Sequence, residues 1–373
     1  MAGREIREKK NFKGQMKRIK NKIYNYFFQI QLQRLGKGFV CVLFFCSSFL
    51  WRGAGGEAFA QDIHFTQFYS SPLYLNPAFT GASRCSRLSA TYRNQWPGIS
   101  KTYSTFLASA DHYLHDQNLG VGILFGSDIA GTGQLKTTLI NPSIAYEARL
   151  SRKFTLRFGA QPGFTLKSIN FNNLLFGDQL ARGGNVGSIE TPTQTKLFFD
   201  VGAGVLAYTA KYWAGVSAFH LNRPNESLRG VESVKLPIKY SIHGGAKFMI
   251  NNEEEREEFQ KKSATMAFNY RGQKEFDQLD IGLYYSQNGF NFGFWYRGIP
   301  GLKMYKTGYQ NNDAVAVIIG FQTKQINIGY SYDITISKLF LISNGAHELT
   351  IYYQLCKPPK KKKYGMMLPC PKF

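Results

Sequence analysis

The sequence predicts an all-β protein, a transmembrane antiparallel outer-membrane β-barrel of about 14 strands. Residues 326–337 alternate apolar and polar side chains for twelve positions, which is the period of a strand with two unlike faces. The 373 residues include 31 Phe, 22 Tyr and 4 Trp, spread along the chain. Beyond position 60 the longest apolar run is Ala314–Phe321, whereas a membrane-spanning helix needs about 20 apolar residues. A multi-span helical protein is therefore excluded.

The length of the strands separates the membrane barrel from a soluble sandwich or barrel. Strands of soluble sandwiches usually have about 5–6 residues. The alternating runs here are about ten residues long, close to the about 9–11 residues that a strand needs to cross a bilayer. Residues 279–286 and 290–297 show the same pattern, with Phe, Tyr, Leu and Ile on one face. This length favours the membrane barrel.

Fourteen segments have this alternation. In chain order they are residues 86–95, 102–114, 118–129, 135–149, 153–167, 196–209, 212–221, 238–250, 265–273, 276–287, 290–299, 313–323, 326–338 and 346–355. An even number of strands places both chain ends on one side of the membrane, which we expect to be the periplasm. The long connections 168–195, 222–237, 300–312 and 339–345 then face outward, and most of the others are tight turns.

One connection on the periplasmic side is long, residues 251–264, and it carries five Glu residues. A charged run of this kind is usually a solvated loop, and the alternatives are a docking loop for a basic partner or a strand count that is wrong by one. Residues 61–85 combine aromatic residues with two prolines, which predicts a partly ordered periplasmic lead-in or a plug. Residues 86–356 form the predicted barrel, and residues 357–373 form a basic periplasmic tail that either solubilises the chain or binds an acidic partner.

The first 60 residues have the features of a secretory signal peptide. Residues 4–37 hold eleven Lys or Arg residues, residues 38–51 are apolar, and Ala58-Phe59-Ala60 is a small-residue cleavage pattern. The alternative is an uncleaved signal anchor. The formal charge of the whole chain is +22, but without this segment 34 basic and 21 acidic residues remain. That charge is too dispersed for a nucleic-acid-binding surface, and we expect no nucleic-acid partner.

The remaining cysteines are Cys85, Cys356 and Cys370, so one disulfide and one free thiol can form, and nothing in the sequence selects the pair. The six histidines have neither H-x-x-x-H spacing nor a C-x-x-C partner motif, and no G-x-S-x-G or P-loop motif occurs. We therefore predict no catalytic site, no metal site and no cofactor. His112 and His115, three residues apart where a strand meets a turn, are more simply explained as exposed turn residues.

Several motifs together resemble the PorP/SprF family of type IX secretion system outer-membrane proteins. They are QDIHFTQFYSSPLYLNPAFTGA at residues 61–82, YRNQWPGI at 92–99, WYRGIP at 295–300, GYSYDITIS at 329–337 and GAHELTIYY at 345–353. The resemblance spans nearly the whole chain after the leader. The long basic leader, the acidic loop at 251–264 and the lysine-rich tail depart from the family pattern.

The resemblance implies a non-enzymatic barrel of the secretion and gliding machinery of Bacteroidetes-type bacteria. Its implied partners are periplasmic ring components, a peptidoglycan-linked periplasmic protein, a large surface adhesin as cargo, and outer-membrane lipid. The alternatives are a porin-like or fatty-acid-type channel for small solutes and a soluble exported β-protein.

Six residues are candidates for contacts in the lumen or with partners. They are Arg93, Trp96, Arg297, Asp333, His347 and Glu348. The strand alternation points Arg297 and Asp333 inward, where charges in a membrane barrel pair with one another or line a lumen.

Overall fold

The computed structural model describes most of the chain after position 61. The described residues are 62–99, 103–131, 133–170, 174, 177–183, 195–228, 234–250, 261–274, 276–299, 304–306, 309–310, 312–336 and 343–356. The predicted signal peptide, the acidic residues 251–260 and the basic tail lie outside them. Everything below concerns residues 58–373, the unit that contains all of the described residues.

Strands make up most of the described residues of this unit, 67% of them. Their bounds are β1 Ser86–Gln95, β2 Tyr103–Leu114, β3 Leu119–Ala130, β4 Leu135–Arg149, β5 Thr155–Ser168, β6 Thr195–Tyr208, β7 Tyr212–Phe219, β8 Lys239–Met249, β9 Ser263–Gln273, β10 Phe276–Gln287, β11 Phe290–Gly298, β12 Met304–Lys306, β13 Tyr309–Gln310, β14 Asn312–Gln322, β15 Ile326–Thr335 and β16 Ala346–Leu355. The helical pieces are short, with 3-10 turns at Phe68–Ser70 and Pro77–Phe79 and α-helical turns at Pro72–Leu75 and Gly177–Ala181.

Fourteen of these strands form one closed antiparallel barrel, which confirms the predicted fold class and strand count. The barrel closes where β1 pairs with β16, from Ser86 opposite Leu355 to Gln95 opposite Ala346. The other two strands, β12 and β13, pair only with each other in the connection between β11 and β14. The even count holds across the long connection 250–262, because β8 and β9 form a regular hairpin from Lys239 opposite Gln273 to Met249 opposite Ser263.

The predicted strand bounds need small corrections, of which β7 is the most informative. The alternation predicts a strand to residue 221, but β7 ends at Phe219. His220 has φ +59°, a left-handed conformation that breaks strand geometry. Its ring is held by carboxylates inside the barrel, so a side-chain contact ends the strand before its apolar pattern ends.

The two faces of the barrel wall show which side meets lipid. Large apolar side chains point outward and are exposed, such as Leu197 at 63% and Phe294 at 56%. The inward positions of the same strands carry buried polar and charged groups, such as Arg157 and Asp333. A soluble protein has apolar side chains inside and polar ones outside. The opposite distribution found here is the pattern of a membrane β-barrel. Among the described residues, no helix has the length and apolar character to span a membrane.

A disulfide lies beside the seam of the barrel. Cys85 precedes β1, Cys356 follows β16, and their sulfur atoms are bonded. The bond therefore joins the two ends of the barrel at the edge where the sheet closes. The choice of partner, which the sequence leaves open, follows from the register, because Ser86 and Leu355 are directly opposite each other.

The lumen of the barrel is occupied by residues 62–82, named here the lumen segment. Phe65, Leu73 and Phe79 are at most 1% exposed, and Asn76 is fully buried. Asn76 Nδ2 donates to the carbonyl oxygens of Val205 on β6 and Val216 on β7. The segment thus makes contacts typical of a protein core, but with the inner wall of a barrel.

Glycines on the inner wall make room for this segment. A Cβ atom at Gly120 of β3 would lie 1.9 Å from the Thr80 carbonyl oxygen, and one at Gly159 of β5 would lie 2.2 Å from the Ala78 nitrogen. No side chain can be accommodated at such distances from backbone atoms. The inward glycines of these strands are therefore explained by close backbone approach.

Candidate functional site

Four of the six candidate residues meet in one buried group inside the barrel, named here the central cluster. Arg93 on β1 lies 2.9 Å from Asp333 of β15 and 3.0 Å from Glu348 of β16, measured between side-chain nitrogen and oxygen. Arg297 on β11 lies 3.1 Å from Asp333. The four side chains project inward from four strands because each sits on the polar face of its alternating pattern. None of them is more than 5% exposed.

The lumen segment supplies the centre of this cluster through Thr66. Its hydroxyl donates to Asp333 at 2.6 Å and accepts hydrogen bonds from Arg93 and Arg297, each at 2.8 Å. The backbone N–H groups of Thr66 and Gln67 each donate to one oxygen of Glu348 at 2.8 Å. A carboxylate that accepts hydrogen bonds from two successive backbone N–H groups fixes both the position and the direction of that backbone segment. The lumen segment is therefore attached to β1, β11, β15 and β16 at one point.

Two further charged residues belong to the central cluster, although the sequence analysis did not single them out as candidates. Asp280 on β10 accepts from Arg297 at 2.9 Å and from Arg271 of β9 at 3.0 Å. Three arginines then face three carboxylates, so the formal charges of the group cancel. Buried charges in a membrane protein are stable only when paired in this way.

His64, at the start of the lumen segment, lies beside this group. Burial and the nearby Arg93 and Arg297 charges hold the pKa of His64 well below its usual range. Its Nε2 atom is 3.4 Å from an Arg93 nitrogen. The ring is therefore neutral at physiological pH and leaves the charge balance of the cluster unchanged.

The other two candidates, Trp96 and His347, lie away from the central cluster. Trp96 follows β1 with φ +58°, and its backbone N–H donates to the Gly345 carbonyl oxygen. Its indole ring packs edge-on against the Tyr103 ring. The His347 Nδ1 atom is 2.7 Å from the hydroxyl of Tyr330, which is 43% exposed on the outer surface. Both side chains therefore belong to the rim and the outer wall.

A second buried group of charges holds the other end of the lumen segment. Arg87 of β1 and Asp111 of β2 form an ion pair, and Asp111 also accepts from the Gly81 N–H at 2.6 Å. Arg157 of β5 binds Glu147 of β4 at 2.7 Å and donates to the carbonyl oxygen of Ala78 at 2.9 Å. These residues also have inward positions in their alternating strands. They bind mainly the backbone of the segment.

A third group lies near the beginning of the segment, around His220. Its ring nitrogens are 2.7 Å from Asp62 and 2.8 Å from Asp200 of β6, while Lys239 of β8 is 3.2 Å from Asp62. Burial opposes protonation of the ring, but the two carboxylates outweigh it and raise the pKa of His220 to about 9. Burial likewise opposes ionisation of Asp62, but His220 and Lys239 together lower the pKa of that carboxyl.

The charged side chains of these three groups bind the lumen segment to the barrel wall. Among the described residues, no group of three or more His, Cys, Asp or Glu side chains is placed to hold a metal ion. Arg93 and Arg297 are each held by two carboxylates and by Thr66 of the lumen segment. The arrangement fixes the lumen segment to strands on opposite sides of the barrel.

Comparison with known proteins identifies a family. The profile described as "Type IX secretion system membrane protein PorP/SprF" matches residues 57–353. No curated protein matches the chain.

Similar solved structures are distant. The toluene transporter TodX of P. putida is 10% identical, with 76% of this chain and 92% of that chain covered and a TM-score of 0.42. A TodX monoaromatic hydrocarbon channel mutant is 11% identical, with coverages of 78% and 94% and a TM-score of 0.43. A mutant Rh. blastica porin is 8% identical, with coverages of 72% and 99% and a TM-score of 0.32.

Proposed function

The chain belongs to the PorP/SprF family of type IX secretion system membrane proteins, and we propose that it is a non-enzymatic outer-membrane component of that machinery. In this role it supports the secretion or surface anchoring of sorting-domain adhesins, and it contributes to gliding in a Bacteroidetes-type cell. Residues 1–60 act as the signal peptide that exports it. Its periplasmic partners are ring components and a peptidoglycan-linked protein.

One observation carries the proposal beyond the family match, namely the filled lumen. The lumen segment is bound by buried charges near its beginning, at Thr66 and near its end. A barrel filled in this way is suited to act as a rigid body that holds other proteins, and it is poorly suited to pass solutes. In the proposed orientation both chain ends face the periplasm and the connections after β5, β7 and β11 face outward.

A pull-down from the native envelope tests this function. The C-terminally tagged protein is extracted in mild detergent and its companions are identified by mass spectrometry, with an unrelated tagged outer-membrane barrel as the control. We expect ring components, a peptidoglycan-binding protein or a large adhesin to be enriched over the control. A barrel that comes out alone and conducts ions in planar bilayers would instead support the porin-like alternative.

A further inference from the structure

A groove on the outer surface of the barrel lies where β3 to β6 reach one rim. Its volume is about 390 Å³, within the range of about 300–1,000 Å³ for sites that bind small ligands. Its lining includes Ile129, Gln134, Lys136, Ser168, Asn170 and Thr195. All six residues are exposed or half-exposed, so a bound molecule can reach their side chains. The inference drawn from this groove requires a barrel in a membrane and does not depend on the secretion role.

Four of these residues form one row across the four strands. Ile129 of β3 is opposite Lys136 of β4. Lys136 is in turn opposite Ser168 of β5, which is opposite Thr195 of β6. Neighbouring strands lie about 4.8 Å apart, so the row is about 14 Å long. It faces outward, because the alternate positions of these strands, such as Leu139, are buried in the lumen.

The groove is bounded by a turn and a loop end that backbone hydrogen bonds hold in place. The Asn170 N–H donates to the Gly133 carbonyl oxygen at 3.0 Å, which joins the end of β5 to the turn between β3 and β4. Within that turn, the Gln134 N–H donates to the Gly131 carbonyl oxygen at 3.2 Å. The shape of the groove therefore comes from the barrel backbone, and a ligand can enter without rearranging it.

Lys136 is the one charged residue at the outward positions of the described strands β3 to β6. Within the described part of the chain, no carboxylate forms an ion pair with it. The hydroxyl groups of Ser168 and Thr195 likewise have no hydrogen-bond partner among the described residues. An unpaired ammonium beside two free hydroxyl groups favours an anion that accepts several hydrogen bonds, such as a phosphate group.

The outer wall next to the row, toward the middle of the strands, is apolar. Phe164 and Leu166 of β5 and Leu197 and Phe199 of β6 are all exposed on this wall. The rings of Phe164 and Phe199 pack together, with centroids 5.4 Å apart. A molecule that contacts both the row and this wall has an anionic group at one end and apolar chains at the other. In a membrane, a lipid has that form.

We propose that this groove binds the headgroup of a phosphate-bearing membrane lipid, whose acyl chains lie on the apolar wall of β5 and β6. The phosphate accepts hydrogen bonds from the Lys136 ammonium and from the hydroxyl groups of Ser168 and Thr195. The Gln134 amide donates from the edge of the groove. This lipid differs from the other lipids around the barrel, because polar side chains hold its headgroup in addition to the apolar contacts of its chains.

Native mass spectrometry of the protein purified from its membrane into detergent tests the proposal. The probes are dioleoyl phosphatidic acid and dioleoylglycerol, which has the same acyl chains without the phosphate. We expect saturable binding of phosphatidic acid, weakened about tenfold by Lys136→Gln, because a charge-assisted hydrogen bond is lost. The matched control is Lys153→Gln in the turn between β4 and β5, at the other rim, which should bind as the unchanged protein does. Equal binding of dioleoylglycerol, full binding by Lys136→Gln, or the same loss in Lys153→Gln would overturn the proposal.

Two further measurements separate the groove from a general attraction between a lysine and an anion. The double variant Ser168→Ala, Thr195→Val keeps the charge and should weaken phosphatidic acid binding about threefold or more, because two neutral hydrogen bonds are lost. Full binding by this variant counts against the groove. Inorganic phosphate in excess should leave the bound lipid in place, and its displacement of the lipid would assign the site to free phosphate instead. A heat-dependent gel shift establishes that each variant is folded, and if Lys136→Gln is not, these two measurements decide.

Discussion

At the scale of single residues, the buried arginines and carboxylates determine how the lumen segment is held. Arg93, Arg297, Asp333 and Glu348 are each at most 5% exposed, so none can exchange its partner for bulk water. Taking a charge out of water costs several kcal/mol, and a network repays this only when every member is paired. Thr66 completes the network, because its hydroxyl both donates to a carboxylate and accepts from two guanidinium groups.

Replacing Asp333 with Asn should be strongly destabilising. The substitution keeps the shape of the side chain but removes the negative charge between Arg93 and Arg297. Breaking a buried pair from one side costs about 3–5 kcal/mol. Urea unfolding of the protein in lipid vesicles measures the free energy of unfolding of both forms.

Asp313 provides the matched control for this substitution. Its carboxylate is 3.7 Å from Arg297, but its side chain is 45% exposed. Exposed pairs contribute about 0–1 kcal/mol, so Asp313→Asn should change the free energy of unfolding by no more than that. Equal losses in the two variants would show that burial of the network is not what stabilises it.

The His220 ion pairs make stability depend on pH on the alkaline side. The folded-state pKa of about 9 lies above the ordinary value of 6.5. The stabilisation that the protonated His220 ring contributes is therefore complete below about pH 6.5 and is lost as the pH rises through about 9. The difference corresponds to about 3 kcal/mol at most, less screening at the partly exposed carboxylates.

Unfolding free energies at pH 6.5 and pH 9.5 measure this effect, with His220→Gln as the reference. The unchanged protein should lose stability between the two values. The variant should have a lower free energy of unfolding at pH 6.5 and should lose less of it at pH 9.5. The reason is that it has no imidazole ring to lose a proton among the groups that face residue 220, namely Asp62, Asp200 and Lys239. An identical pH dependence in both proteins would assign the loss to other groups.

At the scale of elements, the barrel strands were predictable and the lumen segment was predictable only in outline. Each strand carries an alternating pattern, because lipid requires apolar side chains outside while the lumen accepts polar ones. The same alternation would have found Arg87, Asp111, Glu147 and Arg157, which all stand on inward positions. Thr66 gives no such signal, because its role depends on contacts with residues that are at least 27 positions away in the chain.

The disulfide is an element that the sequence could not assign. Cys85 and Cys356 are 271 residues apart, and only the closure of β1 on β16 brings them together. A cross-link that closes so long a loop restricts the unfolded chain, with typical contributions of about 2–4 kcal/mol. The bond therefore stabilises the seam of the barrel.

Removing this bond should lower the free energy of unfolding by about that amount while leaving the barrel closed. The double variant Cys85→Ser, Cys356→Ser is compared with the unchanged protein by urea unfolding in vesicles. Cys370→Ser is the control, because Cys370 has no part in the bond, and it should leave stability unchanged. Reductant should weaken the unchanged protein and have no effect on the double variant. A double variant as stable as the parent would contradict a role for the bond in stability.

At the scale of the whole molecule, the barrel and its contents form one unit. The lumen segment lies against the inner wall on many sides, from Arg93 of β1 to Asn76 contacts on β6 and β7. The volume that would otherwise be a water-filled channel is therefore packed with buried side chains. This arrangement distinguishes a plugged barrel from an open porin of similar strand number.

Conductance across a planar bilayer follows from this packing. The unchanged protein should pass little steady current, because the lumen segment fills the path between the two sides of the membrane. Deletion of residues 62–82 should increase the steady conductance by an order of magnitude or more, since the inward charges then line open water. The Asp116→Asn variant should remain as closed as the parent. A heat-dependent gel shift establishes that the deletion variant is folded before it is measured. If the deletion variant does not fold, the conductance of the unchanged protein alone tests the prediction. A steady porin-like current through the unchanged protein contradicts a filled lumen.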